Sequence, residues 1–110
     1  MRGFSSFMKR PKPPYFAVIF SSKLRSGAEG YEKTAERMVE LVSARAGFLG
    51  MRSFRKDTGE GVTISYWENR EAIQAWREDP EHQEAMRRAR SEWYESFDLE
   101  IAEVTEARKK

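Results

Sequence analysis

The side chains of this 110-residue chain with clear chemical uses are few: one histidine, three tryptophans, and two serines inside an apolar run. His82 is the sole imidazole, Trp67 and Trp76 stand upstream of it, and Ser21 and Ser22 follow Phe20. A neutral imidazole takes a proton or holds a developing oxyanion. An indole shapes an apolar pocket and keeps water from it. A serine hydroxyl donates a hydrogen bond or, with a base, attacks. A Ser22–His82 nucleophile pair lacks the strand-to-helix elbow that presents a hydrolase serine. Simple packing accounts equally well for each of these residues: a ring tied to the backbone, two indoles filling space, and a strand end meeting solvent.

What is missing narrows the chemistry further. There is no cysteine, which excludes disulfides, a thiolate nucleophile and cysteine-held metals. With one histidine, any metal site would depend on carboxylates, and no metal or cofactor is expected. Gly59 and Gly61 fall in a hairpin, without the strand-to-helix context of a phosphate loop. Arg87, Arg88 and Arg90, with Glu84 and Glu92, read as a solvated helix face. The net charge of +2 conceals an asymmetry. Arg2, Lys9, Arg10, Lys12, Arg108, Lys109 and Lys110 lie at the ends, so the chain between them carries more acid than base. Nucleic-acid binders gather basic charge on one folded face, so a nucleic-acid partner is not expected. No apolar run approaches the ~20 residues of a membrane span. No secretory pattern opens the chain, and a cytoplasmic location is expected.

The elements that must position these groups follow from periodicity. Residues 1–13 are basic and contain proline, and read as a flexible arm; 107–110 read as a basic tail; 14–106 form the domain. Tyr15 to Leu24, YFAVIFSSKL, is a strand with apolar residues on both parities, which needs cover on both faces. Tyr31, Ala35, Met38, Val42 and Ala46 recur at helical spacing, and Gly47 is placed to end that helix. Phe48–Lys56 and Val62–Trp67 form a hairpin around Asp57–Gly61. Asn69 caps a short helix carrying Ile73 and Trp76. Asp79-Pro80 opens a second helix running to about Trp93, with His82, Ala85, Met86, Ala89 and Trp93 on one stripe. There, desolvation and the helix dipole both favour the neutral imidazole. Phe97, Leu99 and Ile101 begin a last strand. Its alternation slips at Ala102 and Val104, which a bulge or an exchange of faces would explain. The order βαββαβ predicts an α+β, ferredoxin-like fold: an antiparallel sheet with helices on one face and a bare face suited to a second copy.

The stretches YFAVIFSS, YEKTAERMVELVSARAGFLGMRSFR, ISYWENREAIQAWREDPEHQEAMRRAR and WYESFDLEIAEV resemble the antibiotic biosynthesis monooxygenase superfamily of dimeric α/β-barrel proteins. The resemblance covers about Pro14 to Glu106. It implies a homodimer with a small-molecule pocket between sheet and helices. Some members oxygenate polyketide-type or quinol-like aromatics with no cofactor, through a substrate carbanion that meets dioxygen; others degrade haem; many have no known activity. On that resemblance His82, Trp76 and Ser22 are the candidate catalytic residues. Trp67, Met86 and Phe20 are the candidate substrate contacts. Trp76 matches the tryptophan of the haem-degrading group, but Ser22 stands at or beside its asparagine position and Met86 at that of its iron-binding histidine. These two departures put haem degradation behind cofactor-free oxygenation. A dimeric binding module without catalysis is the rival expectation.

Overall fold

The run YFAVIFSSKL becomes the strand at the heart of the sheet, and its two-sided apolar character follows from that place. The computed structural model describes residues 11–110 in full and the backbone of 2–5. The elements are β1 (Arg2–Ser5), β2 (Tyr15–Leu24), α1 (Tyr31–Ser43), β3 (Phe48–Arg55), β4 (Glu60–Trp67), α2 (Arg70–Arg77), α3 (Pro80–Arg88), a π-helical turn (Ala89–Trp93) and β5 (Tyr94–Val104). One sheet carries all five strands in the order β1-β3-β4-β2-β5, every neighbour antiparallel. Strands β2 to β5 with their helices realise the expected βαββαβ order.

Alternation along β2 sorts its side chains. Phe16 and Val18 pack beneath the helices on Val42, Met51, Trp67 and Ile73. Further along the same face, Phe20 and Leu24 pack on Ala89, Trp93 and Tyr94. On the opposite face Tyr15 and Ala17 are also buried, and Tyr15 meets Tyr66 edge-on at 6.2 Å. Both helix caps read from the sequence are formed: the Asn69 side chain accepts the Ala72 N–H, and that of Asp79 accepts the His82 N–H at 3.0 Å, with Pro80 at the first helical position.

Two expectations are corrected, at the start of the chain and at the end of α1, and two are sharpened. Within the arm assigned to 1–13, Arg2–Ser5 instead pair with β3, Arg2 opposite Arg55 and Ser5 opposite Arg52. The free edge of β3 offers unpaired N–H and C=O groups, and pairing there needs no apolar side chains. The rest of that expectation at residues 1 and 6–10 lies outside the described residues. Helix α1 stops at Ser43 rather than running to Gly47. The Ser43 hydroxyl donates back to the Val39 carbonyl at 2.6 Å, and Ala46 is left exposed beyond the helix end. Gly47, at φ 83°, makes the following turn; a Cβ there would lie 2.6 Å from that of Ala72. The helix opened by Pro80 is α-helical only to Arg88, and the π-turn carries the burial at Ala89 and Trp93. Finally, β5 has no bulge at Ala102–Val104. Ala102 stands opposite Ala17 and Val104 opposite Tyr15, so the slip is an exchange of faces toward the apolar end of β2. The irregularity lies at the other end, opposite Lys23 and Leu24. Among the described residues no helix is long and apolar enough to cross a membrane.

Candidate functional site

Two constellations occupy the space between helices and sheet. The first is Trp76 with His82. Their rings stack at 4.1 Å between centroids and 12° between planes. The His82 Nδ1 lies 3.0 Å from the Trp76 carbonyl oxygen. A carbonyl can only accept, so Nδ1 carries the proton and Nε2 the lone pair. No described residue bonds Nε2. Because no buried side-chain nitrogen or oxygen lacks a partner, Nε2 reaches solvent. Arg45 lies over the Trp76 ring at 5.8 Å and pairs with Asp79 at 3.7 Å. Burial is the main cause holding the His82 pKa below its ordinary value, and Arg45 adds to it; the Trp76 carbonyl and Asp79 oppose them. The ring is neutral at pH 7, as its place in the first turn predicts.

A pH dependence of stability follows. Below the unfolded value of 6.5 the unfolded chain binds a proton at His82 that the native ring resists. Stability therefore falls as pH drops through that region. Asp79, held below its usual range first by the His82 N–H, titrates lower and stays outside this window. His82→Phe keeps a flat ring against Trp76 but has no proton to bind. Urea midpoints at about pH 8 and about pH 5 are expected to differ in the wild type and to differ less in His82→Phe.

The second constellation is built on one cross-strand row. Ser22 of β2 stands opposite Gly61 of β4, and Gly61 opposite Arg55 of β3. With no side chain at Gly61, the Arg55 guanidinium lies across the sheet to Ser22; a Cβ on Gly61 would come within 2.7 Å of Arg55 Cζ. Arg55 Nη2 donates to Ser22 Oγ at 2.8 Å and to the Tyr31 hydroxyl at 3.3 Å. Its Nη1 donates to the carbonyls of Gly59 at 2.6 Å and Ser22 at 3.4 Å. Tyr94 is buried beside Tyr31, whose ring it meets edge-on at 6.0 Å. Burial, then the neighbouring Tyr31, pushes its phenol far above the usual range, so it stays protonated. Phe20 lines the cluster at 5.4 Å from Tyr94 and stacks on Phe97 at 5.6 Å. Met86 of α3 packs on the cluster of Ala89, Trp93 and Tyr94. In the next row Ser53 and Thr63 bond through their hydroxyls at 2.8 Å.

The structure thus divides the six candidate residues. Ser22, Phe20 and Met86 converge on the second constellation. Trp76 and His82 engage each other in the first, and no hydrogen bond joins Ser22 to His82. Trp67 is 1% exposed, with its indole N–H donating to Ser65 Oγ at 2.9 Å, and lies in the core apart from both constellations. Arg55, Tyr31 and Tyr94 were missed. The available signal was Gly61, a glycine inside a strand, which marks a close approach. Among the described residues no three His, Asp or Glu side chains gather where a metal could sit.

An antiparallel sheet covered on one face by helices, with a polar row and an aromatic wall between the layers, defines a ferredoxin-like α+β protein. The chain belongs to the antibiotic biosynthesis monooxygenase family, whose model matches residues 15–88. It is 49% identical over 100 residues to the uncharacterized protein YqjZ of Bacillus subtilis (strain 168), covering 91% of this chain and 88% of that one. Its fold is similar to that of SnoaB, a cofactor-independent oxygenase from Streptomyces nogalater, with TM-score 0.72 and 13% identity over 89% of this chain and 97% of SnoaB. A solved protein of Lactobacillus acidophilus NCFM shares the fold at TM-score 0.74 and 15% identity over 93% of this chain; the chain spans 48% of its length.

Proposed function

We propose that this chain binds a small aromatic molecule between sheet and helices, over the Ser22–Gly61–Arg55 row, and oxygenates it without a cofactor. The supporting observation is the meeting of an aromatic wall, Phe20 and Phe97, with the donors of Ser22, Arg55, Tyr31 and Tyr94. An enolisable substrate loses a C–H proton to a base and leaves an anion whose oxygen these donors stabilise. The carbanion passes electrons to dioxygen and forms a C–O bond. The resulting peroxide loses water, leaving one oxygen atom as a carbonyl and the other as water, with no outside reductant. The base at this row is a water held by the Ser22 hydroxyl; His82, stacked on Trp76 and tied through Nδ1 to its carbonyl, is joined to the row by no hydrogen bond. A second copy is proposed to cover the open sheet face, where Phe54 is 42% exposed near Val62 and Ile64.

A second reading, a dimeric binding module without catalysis, is favoured by one observation: Trp76 and His82 satisfy each other, with Nδ1 tied to the backbone. Oxygen uptake with an anthrone and a panel of quinols separates the two. Under the oxygenase reading, uptake rises above the buffer rate. Ser22→Ala is then expected to lower it about 100-fold, the usual cost of one oxyanion donor. Saturable binding with no uptake selects the module.

A further inference from the structure

The sheet face away from the helices carries its charges in an order. Phe16, Val18 and Phe20 of β2 pack beneath the helices, so Ile19 between them points the other way. Register places Ile19 in one cross-strand row with Arg52 of β3, Ile64 of β4 and Glu100 of β5. Residues directly opposed in an antiparallel sheet share a face. The row therefore runs from a guanidinium through two isoleucines to a carboxylate. Three strand spacings, roughly 14 Å, separate the two charges, too far for an ion pair within one chain. Among the described residues neither Arg52 nor Glu100 forms an ion pair. Arg52 lies over the Tyr66 ring at 6.0 Å, Glu100 is exposed, and both isoleucines are partly exposed. Two rows toward the β3–β4 hairpin, Glu60 stands opposite Lys23 on the same face.

A row ordered this way is complementary to itself. A second copy, turned over about a two-fold axis parallel to the strands and between β4 and β2, brings each Arg52 over Glu100 of the partner subunit. The isoleucines then meet between the two charged contacts, and Glu60 comes over Lys23 of the partner subunit. A two-fold axis across the strands instead sets Arg52 over Arg52 and Glu100 over Glu100. That turn spares Phe54 a contact with Asp98, which the first one makes. Like charges facing each other at a covered surface cost more than one ring at the rim against a carboxylate. We infer that this face takes a second copy of the chain with the two-fold axis parallel to the strands, and that the reciprocal Arg52–Glu100 contacts set that orientation. The occupant is a copy rather than another protein because the match is reciprocal, one pair of residues supplying both contacts. Apolar residues fill the middle, and the charges at the ends exclude the other turn. The inference rests on the second copy proposed above and adds which way it lies.

Sedimentation equilibrium of the full chain tests it. The wild type is expected to dimerise at micromolar concentration. Arg52→Glu and Glu100→Arg each turn two attractions into two repulsions, and each is expected to weaken the dimer by at least about tenfold. Mixing the two variants in equal amounts is expected to recover the dimer, since every contact between unlike chains is again between opposite charges. Arg77→Glu, on α2 at the other side of the sheet, is expected to change nothing. Circular dichroism checks the fold; should Arg52→Glu unfold, Arg52→Gln removes the charge alone and is expected to weaken the dimer several-fold. A wild type that stays monomeric would overturn the second copy itself. A wild-type dimer that the single variants leave unchanged, or a mixture that recovers nothing, would overturn the orientation and leave the dimer standing.

Discussion

Trp67→Ala is expected to cost about 3–5 kcal/mol of folding stability, the range for deleting a buried large aromatic. Trp67 closes β4 at 1% exposure and packs with Val42, Met51 and Ile73 under the helices. Phe48 meets its ring edge-on at 5.3 Å. The substitution empties the largest buried side chain in the described core and removes the partner of the Ser65 hydroxyl. A domain of this size has roughly 5–15 kcal/mol in total, so the variant should unfold at much lower urea. Trp67→Phe keeps most of the volume but not the indole N–H and should lose less. Urea unfolding followed by circular dichroism reads both. A loss below about 1 kcal/mol for Trp67→Ala would mean that the indole is not in the core.

Gly61→Ala should be damaging for a different reason. Gly61 does not adopt a positive φ, so alanine's backbone preferences are not at issue. The obstacle is space: the new Cβ would meet both Arg55 Cζ and the Phe54 carbonyl oxygen at 2.7 Å. Overpacking of this kind costs about 1–3 kcal/mol. The melting temperature should fall by at least about 4 °C. The same variant lifts Arg55 away from Ser22, so structural damage and weaker binding of the aromatic ligand should appear together. Adding Arg55→Ala relieves the side-chain contact but not the backbone one, and should restore only part of the stability. Full restoration would show that Phe54 yields easily and that only the guanidinium needs the glycine.

Much of the fold was legible because its strongest signals are local. The two-sided run at 15–24 marks a central strand, Asp79-Pro80 marks a helix start, and the resemblance spans almost the whole domain. The edge pairing of Arg2–Ser5 was not legible, since backbone hydrogen bonds at a sheet edge leave little pattern in side chains. The end of α1 was misplaced because Gly47 resembles a helix terminator, while the helix ends before it at Ser43. The candidate site was read only in part. Ser22, Phe20 and Met86 were found from strand parity and the resemblance. Arg55, Tyr31 and Tyr94 come from three separate elements and meet only through tertiary register. Arginine at a strand end beside a hairpin ordinarily reads as solvent-exposed, and only Gly61 hints otherwise. His82 drew attention because it is the sole histidine, yet scarcity does not bring it into contact with the Ser22 row.

The central claim is that a small aromatic binds at the Ser22–Gly61–Arg55 row rather than at the Trp76–His82 stack. The most direct test is nuclear magnetic resonance of the ¹⁵N-labelled chain titrated with 2-naphthoate. The expected result is saturable shifts at the amides of Ser22, Arg55, Gly61 and Phe97, with Trp76 and His82 little changed. Shifts confined to Trp76 and His82, or no saturable shift at the row, would contradict it.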